Sequence, residues 1–190
     1  MKISVLLPTL NNTKGLSKSI NSLLKNSKNK SKIEILLAIN KNDFKTKKFI
    51  QSVNFKYKPK ILFVDKGEGY FDAAERLNKL FKASSGDYLF CFNDDMIITT
   101  KNWDLKLIKY IQKLPKDQLI AMFPSHNQRN QHWPISPIIS RKWCKLIGKF
   151  ANVFEADTEI YILGKLLGRI YKLDNIRIHH KGGYKNKIKQ

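Results

Sequence analysis

Short apolar runs alternate with helical patterns through the first half of the chain. The runs contain almost no regular polar alternation, which is typical of strands buried on both faces: Ile3–Pro8, Ile33–Ile39, Lys60–Asp65 and Asp87–Phe92. Between them, apolar residues recur at three- and four-residue spacing and predict helices, of which Ala73–Ala83 is one. Strands that alternate with helices indicate βαβ units, so the predicted fold class is α/β with a mostly parallel sheet.

The second half of the chain has a less regular pattern. The elements predicted there are a helix, a strand, a long polar loop, two helices and one or two short strands: Trp103–Leu114, Gln118–Phe123, Pro124–Pro137, Ser140–Ile147, Asp157–Leu167 and Ile170–His179. Ser140 is expected to cap the first of those two helices. The chain contains neither an internal repeat nor a clear linker, which favours a single domain.

Composition supports a globular chain. Of 190 residues, 42% are hydrophobic, and no apolar run approaches the roughly 18–20 residues that span a bilayer. The stretch Met1–Asn12 lacks the long apolar region and the cleavage site of a signal peptide. Cys91 and Cys144 are the only cysteines, and Cys91 lies in an apolar run, as a reduced buried thiol would. We therefore expect a cytoplasmic protein.

The charge balance is strongly basic. Lysine and arginine number 36 against 15 acidic residues, for a net charge of +21. Such a field attracts anionic partners, including phosphorylated substrates, nucleic acid or an acidic membrane surface. The abundance of Lys, Asn and Ile is equally typical of A/T-rich coding, and this alternative stays open. The few acidic residues are then informative, and they form two clusters: Asp94 with Asp95, and Glu155 with Asp157 and Glu159.

Polar residues follow the predicted parallel strands where such sheets bind ligands, beyond the carboxyl ends. These segments are Pro8–Asn12, Asn40–Asp43, Asp65–Tyr70 and Asn93–Asp95. Adjacent aspartates repel each other and resist burial, and a divalent cation removes that cost. Carboxylate oxygens suit Mg²⁺ or Mn²⁺. A simple turn is the structural alternative, because Asn and Asp are common turn residues.

Four segments, in order, resemble glycosyltransferase family 2: "ISVLLPTLNN", "GDYLFCFNDDM", "FEADTEIY" and "HHKGGY". The resemblance implies one GT-A (Rossmann-like) domain over residues 1–184, with a nucleotide-sugar-binding half at 1–98 and a reduced acceptor half at 99–184. Residues 185–190 would form a basic tail, mobile beyond Tyr184. The implied reaction is inverting transfer of a sugar from a nucleotide-sugar donor, with UDP-sugar expected, to an acceptor hydroxyl. A divalent metal, Mn²⁺ or Mg²⁺, would bind the diphosphate, and the acceptor would be a glycan or a lipid-linked saccharide.

The resemblance also implies site residues. Asp95 and His180 correspond to metal ligands, and Asp157 corresponds to the catalytic base. The residues that correspond to nucleotide-sugar contacts are Pro8, Thr9, Asn11, Asn40, Asn78, Asn93 and Asp94. Two positions depart from the family pattern, because Asn40 stands where an aspartate is usual and Ala156 where a glutamate is usual. Glu155 and Glu159 are fallback candidates for the base, and Trp133, in the polar loop, is a candidate to stack on an acceptor sugar.

Three other interpretations remain open. Asp65 followed by Gly67 and Gly69 is similar to the first motif of methyltransferases that bind S-adenosylmethionine, although Phe71 stands where a third glycine is usual. A non-enzymatic nucleic-acid binder would explain the charge, but no recognised binding motif is present, so no specific nucleic-acid partner is expected. A pseudoenzyme is compatible with Asn40 and Ala156. The basic surface also predicts peripheral attachment to an anionic membrane.

Overall fold

The structure is a computed structural model that describes residues 1–53, 57–65, 72–114, 119–128 and 133–181. Within these residues, one sheet carries helices on both faces. The strands are β1 Ile3–Thr9, β2 Ile33–Asn40, β3 Lys60–Val64, β4 Tyr88–Cys91, β5 Met96–Ile98, β6 Ala121–His126, β7 Ile138–Ser140 and β8 Ile170–His180. The helices are α1 Thr13–Lys25, α2 Phe44–Ser52, α3 Ala73–Ala83, α4 Trp103–Ile111, α5 Arg141–Ile147 and α6 Ala156–Leu166, with a 3₁₀ turn at Lys30–Lys32.

The strand order is β3-β2-β1-β4-β7-β6-β8-β5. Four of the seven pairings among the described strands are parallel, which confirms the predicted mostly parallel sheet. Since β7 is antiparallel to both of its neighbours, β6 and β8 run in the same direction as β1 to β4. The ends of these parallel strands therefore share one side of the sheet, here named the carboxyl edge: Thr9, Asn40, Val64, Cys91, His126 and His180.

Side-chain alternation along the strands divides the core into two layers. In β1, Ile3, Val5 and Leu7 pack on the face covered by α1 and α4. Leu6 points to the opposite face, which α3, α5 and α6 cover. Burial on both faces explains why β1 and β2 are nearly continuous apolar runs.

The second half of the chain corrects several predicted elements. Strands β5 and β7 were not predicted, because three residues are too few to reveal a period of two. β6 begins at Ala121 and includes Pro124, which was placed in the loop; a register shift between Pro124 and Ser125 accommodates the missing proline N–H. β8 is one continuous strand of 11 residues, where one or two short strands were predicted.

No helix among the described residues is long and apolar enough to cross a membrane. The basic tail predicted at residues 185–190 lies outside the described residues.

Candidate active site

Asp94 is held at the carboxyl edge by two side chains, one from the end of β1 and one from the loop after it. The Thr9 hydroxyl donates to its Oδ2 at 2.6 Å, and the Asn12 amide donates to its Oδ1 at 2.9 Å. Asn12 also accepts from Gly15 N at 3.1 Å and so caps α1. Burial raises the pKa of Asp94, although both of these hydrogen bonds oppose the shift. Two predicted site residues, Thr9 and Asp94, are thus in direct contact.

Asp95 and His180 lie side by side. Antiparallel pairing of β5 with β8 aligns Met96 with His180, so the residue before β5 reaches the histidine ring. His180 Nε2 is 3.1 Å from Asp95 Oδ2, and the backbone N–H of Lys181 donates to Asp95 O at 3.0 Å. Asp95 Oδ1 and His180 Nδ1 are both buried and have no hydrogen-bond partner within the described part of the chain.

Asn127 and Gln128 hold the backbone of His180 in place. The Asn127 side chain accepts from His180 N at 2.7 Å and donates to His180 O at 3.3 Å. Gln128 Nε2 donates to the same carbonyl oxygen at 3.2 Å. Sequence reasoning missed both residues, because they lie in the stretch that was interpreted as a loop. The available signal was an amide pair directly after a strand that ends at the carboxyl edge.

The Asp95–His180 pair fits a divalent cation. A carboxylate oxygen and an imidazole nitrogen are ligands for Mn²⁺ and Mg²⁺ sites, and buried unpaired atoms of this kind require a partner. Among the described residues, no group of three or more His, Cys, Asp or Glu side chains is arranged to hold a metal ion. The described part of the chain therefore offers two ligands here, which leaves positions for phosphate oxygens and water.

Asp157 lies in the first turn of α6, and its carboxylate interacts electrostatically with residues at the carboxyl edge. The pKa of Asp157 is raised above its ordinary value of 3.8. Burial is the main cause and the negative charge of Glu155 adds to it, whereas His180 lowers the pKa. Burial and the charge of Asp157 likewise raise the pKa of the Cys91 thiol at the end of β4. Asp157 is therefore within electrostatic range of both His180 and Cys91.

The neighbouring acids have different surroundings. Glu159 accepts from the backbone N–H groups of Asn152 and Val153, at 2.6 and 3.1 Å, and so orders the segment before α6. Glu155 is exposed to solvent. Asp157 is half-buried and its pKa is raised, whereas Glu159 is committed to the segment before α6 and Glu155 is exposed, which favours Asp157 over the two fallback candidates.

The ends of β1 and β2 form the other wall of the site. Asn40 is buried, and its Oδ1 has no partner among the described residues. Asp43 accepts from Asn11 N at 2.8 Å and from Thr46 N at 2.9 Å. Burial would raise the pKa of Asp43, but these hydrogen bonds lower it overall. Asn11 itself is exposed in the left-handed region (φ 54°), so Asp43 fixes a loop conformation that asparagine tolerates.

The predicted contacts Pro8, Asn78 and Asn93 are placed differently. Pro8, half-buried in β1, and Asn93, after β4, both lie at the carboxyl edge. Asn78 Oδ1 accepts from Phe150 N at 2.7 Å and from Ala151 N at 3.1 Å, and its Nδ2 donates to Ala151 O at 2.8 Å. The structure thus uses the Asn78 side chain to join α3 to the segment before α6, and a nucleotide contact there stays a prediction.

Arg76 is a candidate that sequence reasoning did not single out. It is buried in α3, and its Nε and Nη2 have no hydrogen-bond partner within the described residues. Among the described residues, its nearest carboxylate is Asp72 Oδ2, at 3.9 Å from Nη2. Ala38 and Leu36 of β2 pack with α3, so the alternation of β2 directs Asn40 towards the same layer. Unpaired donors and an unpaired acceptor therefore lie on one side of the sheet.

The family described as Glycosyl transferase family 2 matches residues 4–180. The chain belongs to this family. The match confirms the predicted enzyme class, glycosyltransferase. It also favours that class over a methyltransferase, whose candidate residues Gly67, Gly69 and Phe71 lie outside the described residues. No curated protein matches the chain at a significant level.

Solved structures agree in fold. The chain is similar to S. aureus TarS 1-349 in complex with UDP, with TM-score 0.74 and 16% identity, over 94% of this chain and 60% of that one. The same protein in complex with UDP-GlcNAc gives TM-score 0.73, with 16% identity over 96% and 60% of the two chains. The mannosyltransferase PcManGT from Pyrobaculum calidifontis, in complex with GDP-Man and Mn²⁺, gives TM-score 0.71, with 13% identity over 97% and 58%. The family 2 chain described here thus has the predicted GT-A fold and spans about 60% of the length of these neighbours.

Proposed function

We propose that the protein is a metal-dependent inverting glycosyltransferase that moves a sugar from a nucleotide-sugar donor to an acceptor hydroxyl. The observation that carries this proposal is the Asp95–His180 pair, whose Oδ1 and Nδ1 atoms are buried without partners. Asp157, the half-buried carboxylate of α6, lies within electrostatic range of the same histidine. A ligand pair for a cation beside a separate base is the minimum that this reaction needs.

The donor we propose is a UDP-sugar. The TarS structures contain UDP or UDP-GlcNAc, and the PcManGT structure contains GDP-Man with Mn²⁺, which supports a nucleoside diphosphate sugar in general. Uracil presents one N–H donor between two carbonyl acceptors. The unpaired Asn40 Oδ1 is an acceptor for such a donor, and the unpaired Arg76 Nε and Nη2 are donors for such carbonyls. Asn11 and Pro8 border the same wall.

The chemical roles follow from charge. Bound at Asp95 and His180, Mn²⁺ or Mg²⁺ would neutralise the leaving diphosphate. Asp157 accepts the proton of the acceptor hydroxyl as its oxygen bonds to the anomeric carbon and the bond to the diphosphate breaks. Inversion requires attack from the face opposite the leaving group, and a base separate from the Asp95 carboxylate meets that requirement. Asp94, bonded to Thr9 and Asn12, keeps the loop after β1 beside the donor.

The acceptor we propose is a glycan or a lipid-linked saccharide, used by a cytoplasmic enzyme that attaches peripherally to anionic membrane. The support for attachment is the net charge of +21 alone. Asn78 and Asn93 stay predicted donor contacts.

Asp95→Ala tests the metal site. In isothermal titration of the full chain with UDP and Mn²⁺, we expect the variant to bind UDP at least roughly tenfold more weakly than the wild type. Loss of a residue that only supports a metal ligand already weakens metal binding by about this factor, and loss of the ligand itself should weaken it at least as much. With a chelator present, the two proteins should bind UDP equally weakly. Asp174→Ala is the matched control, since Asp174 is an exposed aspartate of β8.

An equal loss of UDP affinity with Mn²⁺ and with the chelator would make Asp95 a structural residue. Wild-type UDP affinity that does not change with Mn²⁺ would overturn the metal dependence.

A further inference from the structure

A cavity of about 260 Å³ lies between β6, the start of β8 and α6. Its walls are the last four residues of β6, the first three residues of β8, Pro134 and Tyr161. Cavities for drug-sized ligands measure roughly 300–1,000 Å³, so this one has room for a single small ring. Its surroundings are rich in aromatic rings. The Tyr161 ring meets the Phe123 ring edge-on at 6.0 Å and lies 6.0 Å from the Trp133 ring, tilted by 56°.

His126 fixes Trp133 at this position. The His126 ring is buried, and its Nε2 is 2.8 Å from the carbonyl oxygen of Trp133. Its Nδ1 accepts from Gln128 N at 3.3 Å, so the tautomer that fits both contacts donates from Nε2. Burial lowers the pKa of His126, which favours this neutral form. Trp133 nevertheless keeps 44% of its surface exposed, so its backbone is held in place while much of the residue stays accessible.

The cavity adjoins the proposed base through α6. Asp157 and Tyr161 are four residues apart in this helix, which places them on one face and about 6 Å apart along the axis. A group in contact with Tyr161 is therefore about one helical turn from the carboxylate that would take the proton. Gln128, which anchors one side of the His126 ring, also bonds His180 O, so the cavity and the Asp95–His180 pair share a support.

We propose that this cavity is an acceptor subsite for an uncharged sugar ring, which packs against Tyr161 and Trp133 while a hydroxyl of the acceptor lies near Asp157. Aromatic faces suit the apolar C–H faces of sugars, and Ser125 in the wall supplies a hydroxyl for the polar rim. The ammonium group of Lys172, in the same wall, is already paired with Asp174 at 3.0 Å, which argues against an anionic ligand. The inference deepens the proposed function and rests on it.

The test measures equilibrium binding of methyl glycosides of glucose, galactose, mannose and N-acetylglucosamine to the full chain by saturation-transfer NMR. We expect at least one glycoside to bind the wild type, and Trp133→Ala to bind it roughly tenfold or more weakly. Trp133→Phe should retain most of the affinity, because a ring remains. Phe63→Ala is the matched control, since Phe63 is 53% exposed on the distant strand β3. All variants should bind UDP with Mn²⁺ as the wild type does.

Two outcomes would overturn the subsite and leave the proposed function intact. In the first, the wild type binds UDP but gives no signal with any glycoside at roughly 10 mM. In the second, Trp133→Ala binds glycosides as well as the wild type does. Preferential binding of glucose 1-phosphate that is lost in Lys172→Ala would overturn the uncharged ligand. The proposed function would instead be overturned if the wild type bound no nucleoside diphosphate, with or without Mn²⁺. Glycoside binding that depends on Trp133 would still support a sugar site in that case.

Discussion

The adjacent carboxylates of Asp94 and Asp95 have different surroundings. Both oxygens of Asp94 are bonded to neutral donors, Thr9 at the end of β1 and Asn12 in the loop after it. Asp95 has one oxygen bonded to His180 and the other without a partner among the described residues. The pair therefore combines a residue that orders the site with a residue that remains available to a ligand.

Asp157→Asn should lower the rate of sugar transfer by about 10²–10⁴-fold, the usual effect of removing a general base, while UDP binding with Mn²⁺ persists. The same change should stabilise the fold at neutral pH, because burial raises the pKa of Asp157 above 3.8 and so penalises its charged form. Below the unfolded-state pKa the two proteins should melt alike. As the pH rises through the folded-state pKa, the wild type should lose stability that the variant keeps. Transfer assays and thermal melts between about pH 3 and 8 measure both effects.

Glu155→Gln is the control, since Glu155 is an exposed acid in the same segment. An inactive Glu155→Gln or Glu159→Gln beside an active Asp157→Asn would move the role to that neighbour, and normal turnover in all three variants would remove the cluster from the mechanism.

Residues with a recognisable local pattern were predictable from the sequence. Asp95 and His180 were identified from the segments around them, and the structure brings them together. The environments of Asn78, Arg76 and Asn127 were not predictable, because each depends on packing partners far along the chain. Asn78, for example, is saturated by backbone groups 72 and 73 residues away. No local spacing rule encodes such a partner.

At the scale of elements, the start of α1 approaches the end of β4 very closely. A Cβ atom at Gly15 would lie 2.4 Å from Asp94 O and 2.3 Å from Asn12 Nδ2. Only a glycine lets this helix start against the backbone of the Asp94 segment, so the position of the helix and that of the carboxylates depend on each other.

Gly15→Ala should therefore lower the free energy of unfolding by about 1–3 kcal/mol, the range for overpacking, despite the better helix propensity of alanine. It should also weaken UDP binding, because Asn12 would have to release Asp94. Lys18→Ala, at an exposed position of α1, should change neither property. Chemical denaturation and titration with UDP measure the two effects. A stabilised Gly15→Ala protein would contradict the close approach.

The elements that sequence reasoning located well were the long ones. The bounds of α3 agree with the prediction at both ends, since α3 has strong helical periodicity. The predictions were wrong where elements are short or interrupted, as for β5, β7 and the end of β6. In these cases, the pairing partner rather than the local pattern determines the strand.

At the scale of the whole molecule, the acids are largely used for internal structure while the bases cover the surface. Asp43 and Asp104 are buried and accept from backbone N–H groups, and Glu34 accepts from Ser4 and Ser85. The excess of 36 basic over 15 acidic residues therefore gives the described part of the chain a mainly basic surface.

If this charge recruits the protein to membranes, it should bind vesicles that contain phosphatidylserine and dissociate from them as salt rises from about 0.05 to 0.5 M. Each basic residue near the surface contributes about 1 kcal/mol, so a few clustered lysines suffice. Co-sedimentation measures the bound fraction, with pure phosphatidylcholine vesicles as the control. Equal binding to both, or no binding to the anionic vesicles at low salt, would leave coding bias as the explanation of the charge.

Among the strands that the structure describes, the sheet is open and its order leaves β3 and β5 at the two edges. The unpaired N–H and C=O groups of an edge strand can pair with a strand of a second chain. A closed barrel has no such edge, whereas an open sheet does. Lys60 lies in β3, and Lys47 sits 4.8 Å over the exposed Phe63 ring of the same strand. Together with the net charge of +21, these lysines oppose the approach of another copy. The basic surface thereby acts as protection against aggregation, and this protection weakens as salt screens the repulsion.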